Sequence, residues 1–422
     1  MLIQEVEKFK SNVKISEVIF DAEIYARIES NNKIINEYTE NIEQILASDN
    51  LIQISKNNKL IDGFHRLKAA ERVYGSDFTI PVLVHNTENR DYIELVSYSA
   101  NTRHGNRNSK EENKRNVQRL FARGFTLEQI QQATGLGKSV VYDATTSDRK
   151  RIKEEQDKKI LSMWLRCFTQ DKIAEAMDMP QRTIADKIKN FSENSQTGKT
   201  ANTTQPLLYN IWNLKSQDNE TKHFGAFPEL FMTNLLEYHT NPFDIVFDPF
   251  SGGGTTVDVC KKILRRYFCC DLKVTPGYEQ DIRQHDITTG LSDTLPKPDF
   301  AFLDPPYWKQ AFEKYSKSQN DLGNMDLEDF NNAMSNILNA LAKRKVEKIA
   351  IVIQPTQYSN NFEFVDHIFD FHLMLQPKYK IESRYILPYS TQQYNAQMVE
   401  KAKKEKKCLT LNRDLVVWRL NG

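Results

Sequence analysis

The segment Phe302-Leu303-Asp304-Pro305-Pro306-Tyr307-Trp308 brings together residue types that can handle a planar amine. It grows out of Asp299-Phe300-Ala301-Phe302-Leu303, an apolar run of strand character. Two prolines lack the N–H that a helix or a β-ladder would use, so the strand must end there. A carboxylate, a rigid carbonyl and flat rings then stand at the carboxyl end of a strand, the place where open α/β sheets bind ligands. Asp304 and the Pro305 carbonyl can both accept hydrogen bonds from an exocyclic NH2. Tyr307, with Trp308 next to it, offers a face on which the ring can stack. The plain alternative is a strand-to-loop turn whose aromatics belong to the core.

A second segment narrows the choice. Asp244-Ile245-Val246-Phe247 reads as a buried strand and leads into Asp248-Pro249-Phe250-Ser251-Gly252-Gly253-Gly254-Thr255-Thr256, then a helix carrying Val257, Val259, Cys260 and Ile263. Strand, glycine loop and helix in that order form the first unit of a nucleotide-binding fold. No lysine follows the glycines, which excludes the triphosphate-cradling loop of ATPases. Arg266-Tyr267-Phe268-Cys269-Cys270 is a further strand, and it ends at Asp271. An acid at that spacing after the glycines is placed to hydrogen-bond a ribose. Asp286, in His285-Asp286-Ile287, lies one β-α interval on and suits an adenine edge.

DPFSGGGTT, Asp271, Asp286 and DPPYW, in this order, resemble the S-adenosylmethionine-dependent amino-methyltransferases of DNA, which act on adenine N6 or cytosine N4. The resemblance covers residues 206–422. It implies a Rossmann-like α/β domain with a seven-stranded sheet and S-adenosyl-L-methionine as cofactor. On the matching positions it implies that Asp248, Pro249, Phe250, Gly252, Gly254, Thr255, Thr256, Asp271 and Asp286 hold that cofactor. Phe227 and Pro228, in Phe227-Pro228-Glu229-Leu230-Phe231, would pack beside its methionine part. Asp304, Pro305, Pro306 and Tyr307 would be catalytic, acting on a base flipped out of the duplex. DPPY favours adenine N6 over cytosine N4. Strands over 349–353, 385–387 and 415–418 and a helix from Phe364 to Phe371 supply the later elements. Little chain is left after Trp308 for an inserted target-recognition domain, so recognition is expected from the N-terminal half.

That half opens with a small α+β pattern, strands near 13–20, 51–54, 59–63 and 80–84 around helical spacing over 34–46. Gly63 precedes His65 and Arg66 at a helix start, where a glycine, backbone N–H groups and the helix dipole favour phosphate. IDGFHRLKAAERV, with Ser99–Gly105 downstream, resembles the ParB/sulfiredoxin-like domain. The resemblance implies a nucleotide or phosphate site at Gly63, His65 and Arg66, with CTP as the nucleotide. Ala100 stands where ParB relatives have glutamate, and Phe64 where sulfiredoxin needs its cysteine, which argues against sulfiredoxin chemistry. The alternative is that His65 and Arg66 hold the fold.

Residues 109–191 carry two short-helix, turn, helix patterns of helix-turn-helix type. The second helices open with Lys138 and Ser139 and with Gln181, Arg182 and Thr183. Gln and Arg are residue types that read adenine and guanine in the major groove. Residues 1–100 hold eleven Lys+Arg against sixteen Asp+Glu, whereas residues 101–200 hold twenty against thirteen, so the basic excess sits where double-stranded DNA is expected. The run 149–159 is expected to be a solvated joining helix, and Lys401–Lys407 a solvated helix too.

The expected domains are 1–108, ParB-like; 109–191, helix-turn-helix; 192–205, a polar linker; and 206–422, methyltransferase. This combination resembles ParB-methyltransferase fusions of phages and mobile elements. Five cysteines at irregular spacing point to a reduced, cytoplasmic protein of a bacterial or phage-infected cell, without a structural metal. Cys269 and Cys270 should face opposite sides of their strand. No apolar run is long enough to span a membrane. A homodimer is compatible with the reading. The competing function is a CTP-dependent ParB-like clamp with an inactive methyltransferase domain.

Overall fold

The computed structural model describes residues 6–24, 32–103, 109–196, 206–213, 227–308, 321–357, 364–389 and 394–422. The chain divides into two compact units, Met1–Glu155 and Gln156–Gly422.

The first unit begins with β1 (Lys8–Lys14), α1 (Asn32–Glu40), α2 (Ile42–Ala47), β2 (Ile52–Ser55), β3 (Leu60–Asp62), α3 (Phe64–Tyr74) and β4 (Thr79–His85). The strands form one sheet in the order β1-β4-β2-β3, in which only β2 and β4 run parallel. The helical spacing over 34–46 resolves into two helices because Asn41, at φ −123°, breaks the turn. Four helices follow: α4 (Arg90–Arg103), α5 (Lys110–Ala122), α6 (Leu127–Thr134) and α7 (Lys138–Ala144). Ser109 and Glu112 form a reciprocal capping box at the start of α5, and Gly135 in a left-handed conformation closes α6. Leu95, Tyr98, Val117, Leu120, Ile130 and Val141 share one small core, so α4 packs with the first helix-turn-helix. The ion pair of Arg119 with the buried Glu94, 2.7 Å, ties α5 to α4.

The division between units falls within α8 (Thr146–Leu165). Its charged part, 149–159, is largely exposed, as expected of a solvated helix. α9 (Gln170–Met177) and α10 (Gln181–Gln196) complete the second helix-turn-helix around buried Ile160, Ile173, Ala174, Ile184 and Ile188. α10 runs five residues into the expected linker, since no glycine or proline interrupts it before Thr197. Residues 197–205 lie outside the described residues. The second helix-turn-helix is fastened to the large sheet. The Arg266 guanidinium lies 3.6 Å from the Trp164 ring centroid, its Nε donates to the Trp164 carbonyl, and Arg283 donates to the Arg166 carbonyl at 3.0 Å.

That sheet belongs to a Rossmann-like three-layer arrangement. After α11 (Glu229–His239) come β5 (Ile245–Asp248), α12 (Thr255–Lys262), β6 (Arg266–Asp271), β7 (Ile282–Gln284) and β8 (Phe300–Leu303). Then follow α13 (Leu327–Lys343), β9 (Lys348–Ile353), the short pair β10 (Thr356–Gln357) and β11 (Phe364–Val365), and α14 (His367–Leu375). β12 (Tyr379–Pro388), α15 (Ala396–Glu405) and β13 (Asn412–Leu420) end the chain. The strand order is β12-β13-β9-β8-β5-β6-β7. β7, β6, β5, β8 and β9 run parallel; β13 is antiparallel to β9, and β12 to β13. The order reverses between β5 and β8, which makes that point the natural ligand crevice.

Both faces of the sheet are covered, as continuous apolar strands require. Phe247, Cys270, Ala301 and Leu303 pack with α13 and α14 on one face. Val246, Cys269, Phe300 and Phe302 pack with α11 and α12 on the other. Cys269 and Cys270 thus point to opposite layers, as alternation demands. Two expectations need correction. The helix expected from Phe364 begins at His367, capped by the Asp366 side chain, because Phe364 and Val365 pair with β10. Trp308 does not offer a stacking face: it is 1% exposed in the core, and its indole N–H donates to the Met325 carbonyl at 2.9 Å. Its apolar area is worth more inside than at a wet mouth. Trp308→Ala should therefore cost about 3–5 kcal/mol in urea unfolding, as expected for a buried aromatic; a loss under 1 kcal/mol would place the ring outside the core.

Candidate active site

The carboxyl ends of β5, β6, β7 and β8 surround one cavity of about 440 Å³. Asp248, Pro249, Phe250, Gly252, Thr255 and Thr256 of the glycine loop line it, with Asp271, Asp286, Asp304, Pro306 and Phe227. Residues 56 positions apart in sequence therefore meet in one crevice. The β5–β8 register, Phe247 against Ala301, sets Asp248 and Asp304 at the same sheet edge. Pro228, Gly254, Pro305 and Tyr307 stand beside the cavity without lining it.

Three of the acids are held by loop hydrogen bonds. Asp248 Oδ2 accepts from the Thr256 hydroxyl at 2.5 Å and Oδ1 from the Phe250 amide at 2.9 Å. Asp271 accepts from the Gly252 amide at 2.8 Å with Oδ2, so the end of β6 fixes the glycine loop, and from Lys273 N–H with Oδ1. Asp286 caps the turn after β7 by accepting from the Thr288 amide and hydroxyl. Gly254 sits at φ +86°, and a Cβ there would lie 2.5 Å from the Tyr278 ring, which is itself held by a hydrogen bond to Asp258 at 2.6 Å. The glycine is required by both conformation and space.

Burial pushes the Asp248 carboxyl up to about 7 against its bonds to Thr256 and Phe250, with Asp271 adding repulsion. The same holds for Asp304. Burial raises it to about 7; the neighbouring Arg413 guanidinium and a hydrogen bond with Tyr307 pull the other way, and Asp248 pushes up. An acid near neutrality at a cavity mouth can hold a proton or release it at working pH.

A family model for N6/N4 methyltransferases, described as DNA methylase, matches residues 23–275, more than half of the chain. The chain belongs to that family. The match takes in the glycine loop and Asp271 and ends ahead of Asp286 and Asp304. The type II methyltransferase M1.MboII of Moraxella bovis is 31% identical over 100 residues, covering 21% of this chain and 38% of that protein. The chain thus spans well under half the length of this relative. A solved rRNA methylase from Streptococcus thermophilus aligns with 47% of this chain and 98% of its own, at 14% identity and a TM-score of 0.28. A Pnob8-like ParB N-domain aligns with 33% of this chain and 69% of its own, at 14% identity and a TM-score of 0.24. The α/β assignment rests on the strand order rather than on these alignments.

Other expected sites of this DNA methylase family member lie elsewhere. Gly63, at φ +102°, opens α3, and a Cβ would crowd Ile52 and Arg66. Arg66 is turned inward: it pairs with Asp62 at 2.8 Å and donates to the Asn50 and Leu51 carbonyls. His65 is also buried. The guanidinium therefore ties the end of β3 to the segment entering β2, the fold-holding alternative for this residue. Residues 104 and 105 of the second ParB-like segment lie outside the described residues. Lys138, Ser139, Gln181, Arg182 and Thr183 are all exposed on the first turns of α7 and α10.

Several residues at the site carried no sequence signal. His285, with Nε2 bonded to the Gly290 carbonyl, and Asp321, which caps Gly323 N–H at 3.0 Å, both line the cavity. Arg413 stands beside Asp304 although more than a hundred residues follow the prolines before it. No motif marks it; only the antiparallel pairing of β13 brings it there.

Gly254→Ala should cost about 1–3 kcal/mol of stability from the left-handed conformation alone, read by thermal unfolding; an unchanged melting point would contradict this loop geometry. The raised acids give a second outcome. The folded chain holds a proton on Asp304 up to about pH 7, whereas the unfolded chain releases it near 3.8, so stability falls as pH rises between those values. Asp304→Asn should then raise the melting temperature relative to wild type at pH 8 more than at pH 5. A larger gain at pH 5 would reverse the sign and refute a buried, desolvated carboxyl.

Proposed function

We propose that the chain transfers a methyl group from S-adenosyl-L-methionine to the exocyclic amine of a base flipped out of double-stranded DNA, adenine N6 by preference and cytosine N4 as the alternative. The observation that carries this reading is the crevice in which the glycine loop, Asp271, Asp286 and Asp304 meet. Its volume lies in the range of small-molecule sites. Its residues fit the cofactor. Asp271 and Asp286 offer acceptors for ribose hydroxyls and an adenine amine, Phe227, Leu272 and Ile287 offer apolar walls, and the acids together suit a positive centre. When bound, S-adenosyl-L-methionine supplies a methyl group on a positively charged sulfur.

The chain's own part is positioning and proton handling. The lone pair of the target amine is conjugated with its ring. Hydrogen bonds from NH2 to ionised Asp304 and to the Pro305 carbonyl draw that nitrogen towards tetrahedral geometry and free its lone pair. The nitrogen must shed one proton as it is alkylated, and a carboxylate with a pKa near 7 is a competent acceptor. Base flipping costs a few kcal/mol of unstacking; aromatic stacking returns roughly 1–3 kcal/mol per base. Tyr307 is the nearest ring to Asp304 in the DPPY segment, and its own hydroxyl is held un-ionised by burial.

DNA contacts are assigned to the exposed first turns at Lys138 and Ser139 and at Gln181, Arg182 and Thr183. DPPY is the feature that favours adenine. The free cysteines lead us to place the protein in the reducing cytoplasm. Among the described residues no helix is long and apolar enough to cross a membrane.

Asp304→Ala should lower methyl transfer from the labelled cofactor to duplex DNA by at least about a hundredfold, the scale of a lost proton acceptor, while DNA affinity stays within about twofold. In wild type the transfer rate should rise with pH about a midpoint near 7, because the ionised carboxylate is the working form. Near-normal turnover by Asp304→Ala, or a rate that falls through that midpoint, would overturn the assignment.

A further inference from the structure

Arg413 stands close to the acid on which the methylation reading turns. It is the second residue of β13, opposite Leu387 of β12. Tyr389 lies two residues beyond Leu387, and its amide donates to the Leu411 carbonyl at 3.0 Å, so Tyr389 and Arg413 are diagonal neighbours on one face. The Arg413 guanidinium carbon lies 4.1 Å from the Phe227 ring centroid and 4.9 Å from that of Tyr389. The Tyr389 ring is fixed in turn, its hydroxyl donating to Gln354 Oε1 at 2.8 Å. The same guanidinium neighbours the Asp304 carboxyl and lies in hydrogen-bonding reach of the Tyr307 oxygen. Its Nε is buried and has no hydrogen-bond partner among the described residues. Arg413 does not line the cofactor cavity.

A guanidinium is flat, delocalised and edged with N–H donors. An adenine amine is also flat and also presents N–H donors to an acceptor. A flat donor group resting on aromatic rings, with Tyr307 between it and Asp304, therefore has the shape and polarity of the substrate, supplied by the chain itself. Its unpaired Nε leaves the side chain held by stacking and charge rather than by a complete bond set.

We propose that in the DNA-free protein Arg413 occupies the seat of the target base, and that the flipped base enters by displacing it. This rests on the methylation reading. The consequence is selectivity. A nucleobase must give better stacking and better hydrogen bonds to Asp304 than a resident cation does, so only a base with an exocyclic amine repays the displacement. The resident cation also keeps the buried Asp304 charge compensated while the seat holds no base.

The test uses the full chain with saturating S-adenosyl-L-homocysteine and two duplexes. Both carry the site mapped from DNA of cells expressing the protein, one with the target base present opposite an abasic position, one with the target base itself removed. The ratio of the two affinities reports seating of the base and cancels general electrostatic and folding effects. Arg413→Ala should raise that ratio about two- to thirtyfold, the span of a cation–π contact, and Arg413→Gln should raise it in the same direction. Binding of S-adenosyl-L-homocysteine should stay within about twofold in both variants. A ratio unchanged or lowered in both variants, with wild type still methylating the duplex, overturns this proposal alone. A tenfold loss of S-adenosyl-L-homocysteine affinity overturns it too, by assigning Arg413 to the cofactor. Absence of methyl transfer and of S-adenosyl-L-homocysteine binding in wild type overturns the methylation reading and this proposal together.

Discussion

The site depends on carboxylates held out of water at the edge of a parallel sheet. β5 and β8 are adjacent and in register, Val246 with Phe300 and Phe247 with Ala301, so the acids that follow each strand emerge together. Asp248 is buried and Asp304 half-buried where the apolar strands end, and withdrawal from water pushes each carboxyl up to about 7. A carboxyl exposed on a loop would stay ionised and contribute neither. Everything else in the second unit serves this arrangement. The glycine loop bends away to leave room, Asp271 ties that loop to the next strand through the Gly252 amide, and two helical layers bury the strands that carry the acids.

The second helix-turn-helix shares a compact unit with the sheet instead of belonging to a detached N-terminal half. Leu165 is part of the apolar layer beneath α11 and α12, and Trp164 stacks on Arg266 at the first residue of β6. The guanidinium there is partly withdrawn from water and its pKa is lowered by burial, so the contact is a packed one and not a surface coincidence. A helix-turn-helix joined in this way to the sheet has a restricted set of positions relative to it. The first helix-turn-helix, in the other unit, shares its core with α4. Sequence similarity alone groups the two helix-turn-helix patterns; packing separates them.

What could be read from the sequence followed from local rules. Strand ends were legible at Asp248, Asp271 and Asp304 because glycine or proline follows closely or the apolar run stops. Helical periodicity marks Ile173, Ala174, Met179, Ile184 and Ile188 as the inward positions of the second helix-turn-helix; Met179 packs against the other four only partly buried. Cys269 and Cys270 followed from strand alternation. The errors came from competition that only the folded chain decides. Trp308 was adjacent to the motif but went to the core, where its indole N–H found Met325. Phe364 had helical neighbours but paired with β10. Arg66, for which the sequence left a phosphate site and a fold-holding role open, pairs with Asp62 one turn back. Arg413 was invisible because its place depends on the register of β12 and β13, a long-range pairing with no local signature.

The most direct measurement of the central claim is mass spectrometry of nucleosides from the DNA of a methylation-deficient host expressing the full chain. The account predicts N6-methyldeoxyadenosine above the background of cells carrying the empty vector, or N4-methyldeoxycytidine if the alternative base is the target. DNA with neither product, from cells in which the folded protein is abundant, would contradict it.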